Sequence, residues 1–193
     1  MANNDNASGL RLARSQSSGV HNGGVERFYV PATDSTAIYI GGLVKPAGSA
    51  DADGVMSVTG NVSTGDAVIG VMVGVSDATV ESTTYRAAST AGYILVATDP
   101  NALFEVQEDS TGGALAATAV GNTADLTGFT AGSTTSGRSS IEIDSSTATA
   151  SGDGTQDVMV MGLVRRDDNE IGANAKWLVR LNNHFLVDGV AGA

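Results

Sequence analysis

Two histidines, His21 and His184, are the only imidazoles in a chain that has no cysteine at all. That inventory narrows the chemistry available. Nucleophilic hydrolysis needs a nucleophile, a base and a group that orients the base. His21 sits in a polar stretch, and His184 follows Asn182-Asn183 at the end of an apolar run, so each reads as a lone surface histidine. Without thiolates, and with two imidazoles in such different settings, a zinc site is not assembled. The carboxylates Glu105, Glu108 and Asp109 have the type for acid–base work, but their alternation with apolar residues reads as a hydrated strand face and its end. Asp51-Ala52-Asp53-Gly54 opens like a calcium loop, yet Val62 stands where the bidentate glutamate belongs, so a turn is the better reading. The chain has no Gly-x-Ser-x-Gly elbow, phosphate-cradling loop or dinucleotide fingerprint. Asn6-Ala7-Ser8 and Asn61-Val62-Ser63 match glycosylation acceptors, but the first residues lack the apolar core of a secretory signal. These residues predict a protein that is not an enzyme and holds no cofactor or metal.

The elements around these residues are short. Tyr93-Ile94-Leu95-Val96 is apolar on both faces, Thr98-Asp99-Pro100-Asn101 carries turn chemistry, and Leu103 to Gln107 alternates. The reading is a hairpin across Tyr93–Asp109, one strand buried and one half-exposed. Further strands are predicted over 27–30, 36–44, 66–75, 79–88, 140–144, 158–164 and 176–181, with 45–53 as a loop. Residues 66–75, DAVIGVMVGV, are the most continuously apolar and read as a central strand, its glycines permitting coiling or close packing. In KWLVRL, Trp177, Val179 and Leu181 share one face, which makes Trp177 the largest core anchor. Arg165-Arg166-Asp167-Asp168 reads as a solvated turn whose charges neutralise each other. One short helical turn is predicted over 113–120. The expected fold is all-β: a single β-barrel or β-sandwich-like domain over 25–193, with 110–157 as a Ser/Thr/Gly-rich elaboration inside it.

Residues 1–24 are too poor in apolar side chains to fold alone and read as a flexible N-terminal arm. Its one patterned piece is Leu10-Arg11-Leu12-Ala13-Arg14. Two readings apply: a loose tail, or an arm that orders on a partner by adding a strand or filling a groove, with Leu10, Arg11, Leu12 and Arg14 as contact residues.

Composition bounds the rest. The 193 residues include 25 glycines, only 3 prolines and 16% charged residues, a mixture that favours short strands and many turns. The net charge is −11, of which residues 1–24 contribute +1 and residues 25–193 contribute −12. An acidic body repels phosphate backbones, so nucleic acid is not an expected partner. No apolar run approaches the roughly 20 residues of a membrane span. The expectation is a protein made in the cytoplasm.

Four segments together carry a likeness: GDAVIGVMVGV, YRAASTAGYILVATDPNALFEVQED, TTSGRSSIEIDSST and VMGLVRRDDNEIGANAKWLVRLNNHF, within residues 65–187. They resemble small head structural proteins of tailed bacteriophages, most of all the decoration or cement proteins outside the major capsid shell. The resemblance implies a β-rich homotrimer that binds the major capsid protein at the virion surface and reinforces the lattice. A secreted or surface β-sandwich adhesion module, a capsid shell subunit and a hydrolase with a carboxylate pair are the alternative readings.

Overall fold

Short β-branched runs separated by Gly, Asp and Asn turns form twelve strands in the computed structural model, which describes residues 3–16, 24–76, 83–148 and 154–187. They are β1 (Arg11–Ser15), β2 (Glu26–Val30), β3 (Leu43–Ala50), β4 (Met56–Thr59), β5 (Gly70–Val75), β6 (Gly92–Ala97) and β7 (Ala102–Gln107), followed by β8 (Thr123–Ala124), β9 (Leu126–Thr127), β10 (Glu142–Ile143), β11 (Val158–Leu163) and β12 (Lys176–Leu181). The one helical piece among the described residues is a 3-10 turn, Ala117–Ala119, inside the span expected to be helical. The protein is all-β.

Five strands close a small barrel in the order β2-β4-β3-β5-β6, with β6 returning to β2. Its interior holds Phe28, Val30, Ile38, Val44, Val58, Ile69, Met72, Ile94 and Val96. The second sheet runs β1-β7-β12-β11-β8, all antiparallel, with the β9–β10 ribbon as a separate pair. One face of that sheet presents Phe104, Val106, Val158, Val160, Trp177 and Val179 to a second core. Leu43, Val68, Val71 and Ala97 reach the same core from the barrel wall. The barrel wall is therefore buried on both sides there, which is why residues 67–75, after Asp66, are apolar without alternation. Gly70 is required in that wall because a Cβ would collide with the Ala97 carbonyl oxygen across β6.

The Tyr93–Asp109 stretch is not a hairpin. β6 pairs with β2 and β5 in the barrel, whereas β7 pairs with β1 and β12 in the open sheet. The turn between them is a crossover from one sheet to the other. Asp99 holds it, accepting the Asn101 N–H at 2.8 Å and the Ser15 hydroxyl at 2.6 Å. Nor is 45–53 a loop, since β3 runs through Lys45 and Pro46 to Ala50 and pairs with β4, which the sequence reading missed. Within 36–44, Ile38 and Ile40 make only isolated bridges before β3 begins. The strand expected over 79–88 lies partly outside the described residues; of the remainder, Arg86 bridges Ile38. Residues 110–157 supply Leu115, Ala119, Ala124, Leu126, Ile141 and Ile143 to the second core, so their apolar anchors are integral to it.

Residues 3–16 lie on the body rather than forming a loose arm. β1 adds an edge strand beside β7, with Leu12 opposite Phe104, and Leu10 is 2% exposed in the second core. The chain reaches that position by crossing the barrel rim where two glycines meet. Gly9 (φ 67°) and Gly41 (φ 85°) are both left-handed, and a Cβ on Gly9 would lie 2.7 Å from the Gly41 carbonyl oxygen. The crossing is locked by the Leu10 N–H donating to Gly41 O at 3.0 Å and the Gly41 N–H donating to Met72 O at 2.8 Å. The arm adds its strand to its own body, so deleting it uncovers the core.

Two substitutions test this packing in denaturant unfolding. Trp177→Ala, at a residue with no exposure, is expected to cost about 3–5 kcal/mol. Leu10→Ala is expected to cost about 2–5 kcal/mol, whereas a loose tail would show no change.

Candidate interaction surface

The face of the open sheet turned away from the core is set by register. Trp177 and Val179 face inward, so Lys176, Leu178 and Arg180 face outward, opposite Gln107, Glu105 and Leu103. On β1, Arg11 is opposite Glu105 and Arg14 opposite Leu103, which brings both arginines to this outer face. The segment expected to contact a partner is thus divided by its own strand: Leu10 and Leu12 go to the core, Arg11 and Arg14 to the surface.

Two grooves open on this side. The larger, about 1010 Å³, has an apolar floor that includes Met161, Leu163 and Leu178, with Val120 and Ile171 exposed at its walls and Arg14, Arg165, Arg166 and Asp167 around it. The smaller, about 550 Å³, is lined by Arg11, Arg138 and Lys176 with Asn6 and several serines. Six of the ten basic residues of the chain therefore line two grooves that contain one carboxylate, Asp167. These seven charged residues sum to +5 and leave −16 for the rest of the chain. Between the grooves stands Glu105, which accepts from Arg166 Nη1 at 2.9 Å and faces Arg11 Nη1 at 3.7 Å. Arg166 also reaches Asp168 at 3.2 Å, so the neutralisation expected within 165–168 holds for Arg166. Arg165 and Arg14 have no acidic partner among the described residues.

The open edge of β11 runs along the larger groove. On the side away from β12, β8 covers Val158 and Met159, and Gly121 and Asn122 take the backbone groups of Val160. No described residue pairs with that side beyond Val160. Residues 158–164 form the expected strand, in which Met159, Met161 and Leu163 are half-exposed. The signal was present in the sequence as two methionines on an apolar strand, whereas Leu163, shifted by the bulge after Val160, stands opposite Trp177 and packs against the second core.

The groups first considered for chemistry have structural employment. Glu108 is not on a hydrated face: it has no exposure, and its Oε2 accepts the Leu115 N–H at 2.8 Å. Burial pushes its carboxyl above the ordinary range despite that bond. The Trp177 indole N–H lies close enough to favour the charged carboxylate, though outside hydrogen-bond geometry. Asp109, one residue on, is held below the ordinary range: the N–H and hydroxyl groups of Ser145 and Thr111 outweigh its partial desolvation. Neighbouring carboxylates thus diverge because desolvation outweighs the donors at Glu108 and the donors outweigh desolvation at Asp109. His184 is also buried, 2% exposed, where a surface histidine was expected; its Nδ1 accepts the Leu186 N–H at 3.2 Å. His21 lies outside the described residues. Asp51 is a turn residue, as expected, with Oδ1 accepting the N–H groups of Asp53 and Val55 and Oδ2 accepting the Tyr93 hydroxyl at 2.6 Å. Among the described residues no cluster of three or more metal-ligating side chains occurs.

The raised Glu108 gives a pH test. A carboxyl whose folded pKa exceeds its unfolded value binds more protons in the native state, so its contribution to stability falls as pH rises from its ordinary value of 4.5 through the raised one. Glu108→Gln is expected to lose less stability than the wild type between pH 4.5 and neutrality, read as unfolding midpoints across pH. Identical pH profiles for the two proteins would show that Glu108 does not titrate in this window.

Comparison of the chain with protein-family models, with characterised proteins and with solved structures finds no match.

Proposed function

We propose that this protein is a decoration or cement protein of a tailed-bacteriophage capsid, docking on the outside of the major capsid shell. The observation that carries the reading is the larger groove: an apolar floor with Arg14, Arg165 and Arg166 around it, on a chain of net charge −11. A surface of that kind fits a protein partner, with apolar contact supplying affinity and charge supplying register and approach rate. The partner is a shell surface whose carboxylates meet Arg14 and Arg165. The segment likeness within residues 65–187 supports the same reading and adds the homotrimer. Three copies held together multiply modest contacts into firm attachment, so each groove need not bind tightly.

Position matters for the test. Because Leu10 and β1 belong to the core, deleting the first residues would damage the body and confuse loss of binding with loss of fold. Charge reversal at two exposed arginines avoids that. Wild-type protein and the double variant Arg14→Glu, Arg165→Glu are added to capsids that lack the protein, and occupancy, salt dependence and thermal rupture are measured. The expected result is saturable wild-type binding that weakens with salt and protects the capsid. The variant, with an unchanged unfolding midpoint, is expected to bind at least tenfold more weakly, the size of losing about one charged contact. Unchanged occupancy by the variant would remove this face from the interface. Failure of the wild type to bind would end the cement reading.

A further inference from the structure

The smaller groove differs in kind from the larger one, and apolar docking does not account for it. Its walls are Asn6, Ala7, Ser8, Arg11, Ser133, Ser136, Arg138, Ser140 and Lys176, without a carboxylate. Three cations arrive from three separately fixed backbones. Arg11 lies on β1, held to β7 opposite Glu105. Arg138 is anchored to the barrel through the bridge to Ile40. Lys176 opens β12, its N–H bonded to Asn169 Oδ1 at 2.8 Å and its carbonyl accepting from Val164. Arg138 and Lys176 have no acidic partner among the described residues, and Arg11 has only the 3.7 Å approach to Glu105. Glu105 offsets Arg11 in part, while Arg138 and Lys176 line the same groove with no counter-charge of their own, an excess of like charge that a bound anion relieves.

The uncharged lining supplies donors as well. Ser133 Oγ accepts the Ser136 N–H at 3.2 Å, and Ser136 Oγ accepts the Arg138 N–H at 3.3 Å. Those bonds occupy lone pairs and leave both hydroxyl hydrogens to donate. Asn6 is set in place by its own N–H, bonded to Gln107 Oε1 at 3.0 Å. A pocket of guanidinium, ammonium and hydroxyl donors, approached from several directions, matches an anion with oxygens in several directions. A single planar carboxylate would leave part of that donor set unused.

We infer that this groove is a binding site for a tetrahedral oxyanion, phosphate or sulfate, held by Arg11, Arg138 and Lys176 with the Ser133 and Ser136 hydroxyls. The inference is independent of the docking role of the larger groove.

The test titrates the full chain with sodium phosphate, sodium sulfate and sodium chloride at matched ionic strength, following backbone amide NMR shifts and the unfolding midpoint. Methyl phosphate is added as a separate arm, to distinguish a site for the free ion from one that accepts an ester. Saturable shifts at Ser133–Arg138 and Lys176 with phosphate or sulfate, absent with chloride, are expected. Arg138→Gln and Lys176→Gln are each expected to weaken binding roughly tenfold, as for a lost charge-assisted hydrogen bond. Binding of methyl phosphate as tightly as phosphate would assign the site to an ester, and weaker binding of it to the free ion. Equal responses to phosphate, sulfate and chloride would overturn the site, as would saturable shifts elsewhere on the chain. The shift mapping uses wild-type protein, so the test stands even if a variant fails to fold.

Discussion

One layer of strand is shared by two hydrophobic cores, and the rest of the fold depends on it. Along the barrel wall, neighbours in sequence go to opposite sides: Val44, Ile69, Met72 and Val96 point into the barrel, while Leu43, Val68, Val71 and Ala97 face the open sheet. A slip of one residue in any of these strands would exchange the two sets and leave both cores mispacked. Register in the barrel therefore fixes where the open sheet can sit. Gly70 lets the wall close tightly against Ala97, and the Gly9–Gly41 crossing brings β1 over the rim and onto the sheet edge. The crossover at Asp99 then ties the end of β1 to the passage between β6 and β7. Barrel, crossover and edge strand form one mechanical unit.

The acidic character of the chain has a structural origin that sharpens the meaning of its cations. An all-β protein with this many turns has numerous backbone N–H groups that no ladder satisfies. Carboxylates serve them repeatedly: Asp34 accepts from Thr36, Asp51 from Asp53 and Val55, Asp99 from Asn101, Asp144 from Ser146, and Asp157 from Leu126 and Gly65. Much of the negative charge is thus committed to holding loops in shape. Among the cations, Arg86 has an equivalent internal task, donating to the carbonyls of Thr90, Thr36 and Pro31 at 2.7–2.8 Å beside Asp34. The six cations in the two grooves carry no such load, apart from the contacts of Arg11 and Arg166 with Glu105 and of Arg166 with Asp168. Their clustering on one face of an acidic body is what distinguishes that face as a surface for recognition.

Local pattern in the sequence determined a good deal. Val, Ile and Leu runs with turn residues between them specify β structure because strand propensity and turn chemistry are properties of a few adjacent residues. The alternation in 176–181 was enough to place Trp177, Val179 and Leu181 inward, and with them Lys176 and Arg180 outward. The nearly continuous apolarity of 66–75 marked a central strand. What local pattern lacks is the identity of the partner. Tyr93–Val96 and Leu103–Gln107 look alike whether they pair with each other or with strands far away in sequence, because each presents the same edge of N–H and C=O groups. Only closure of the barrel, which uses both edges of β6, decided that they part. The same limit hid the burial of Glu108 and His184, each next to polar residues in sequence and closed off from water only by the fold. It also hid the grooves, since Arg11, Arg138 and Lys176 are far apart along the chain and meet because β1, the loop ending at Arg138 and β12 are each pinned to a different neighbour. Sequence determined which residues form strands and which face of each is apolar; tertiary structure decided which strands meet, because pairing is a competition among equivalent edges that burial elsewhere resolves.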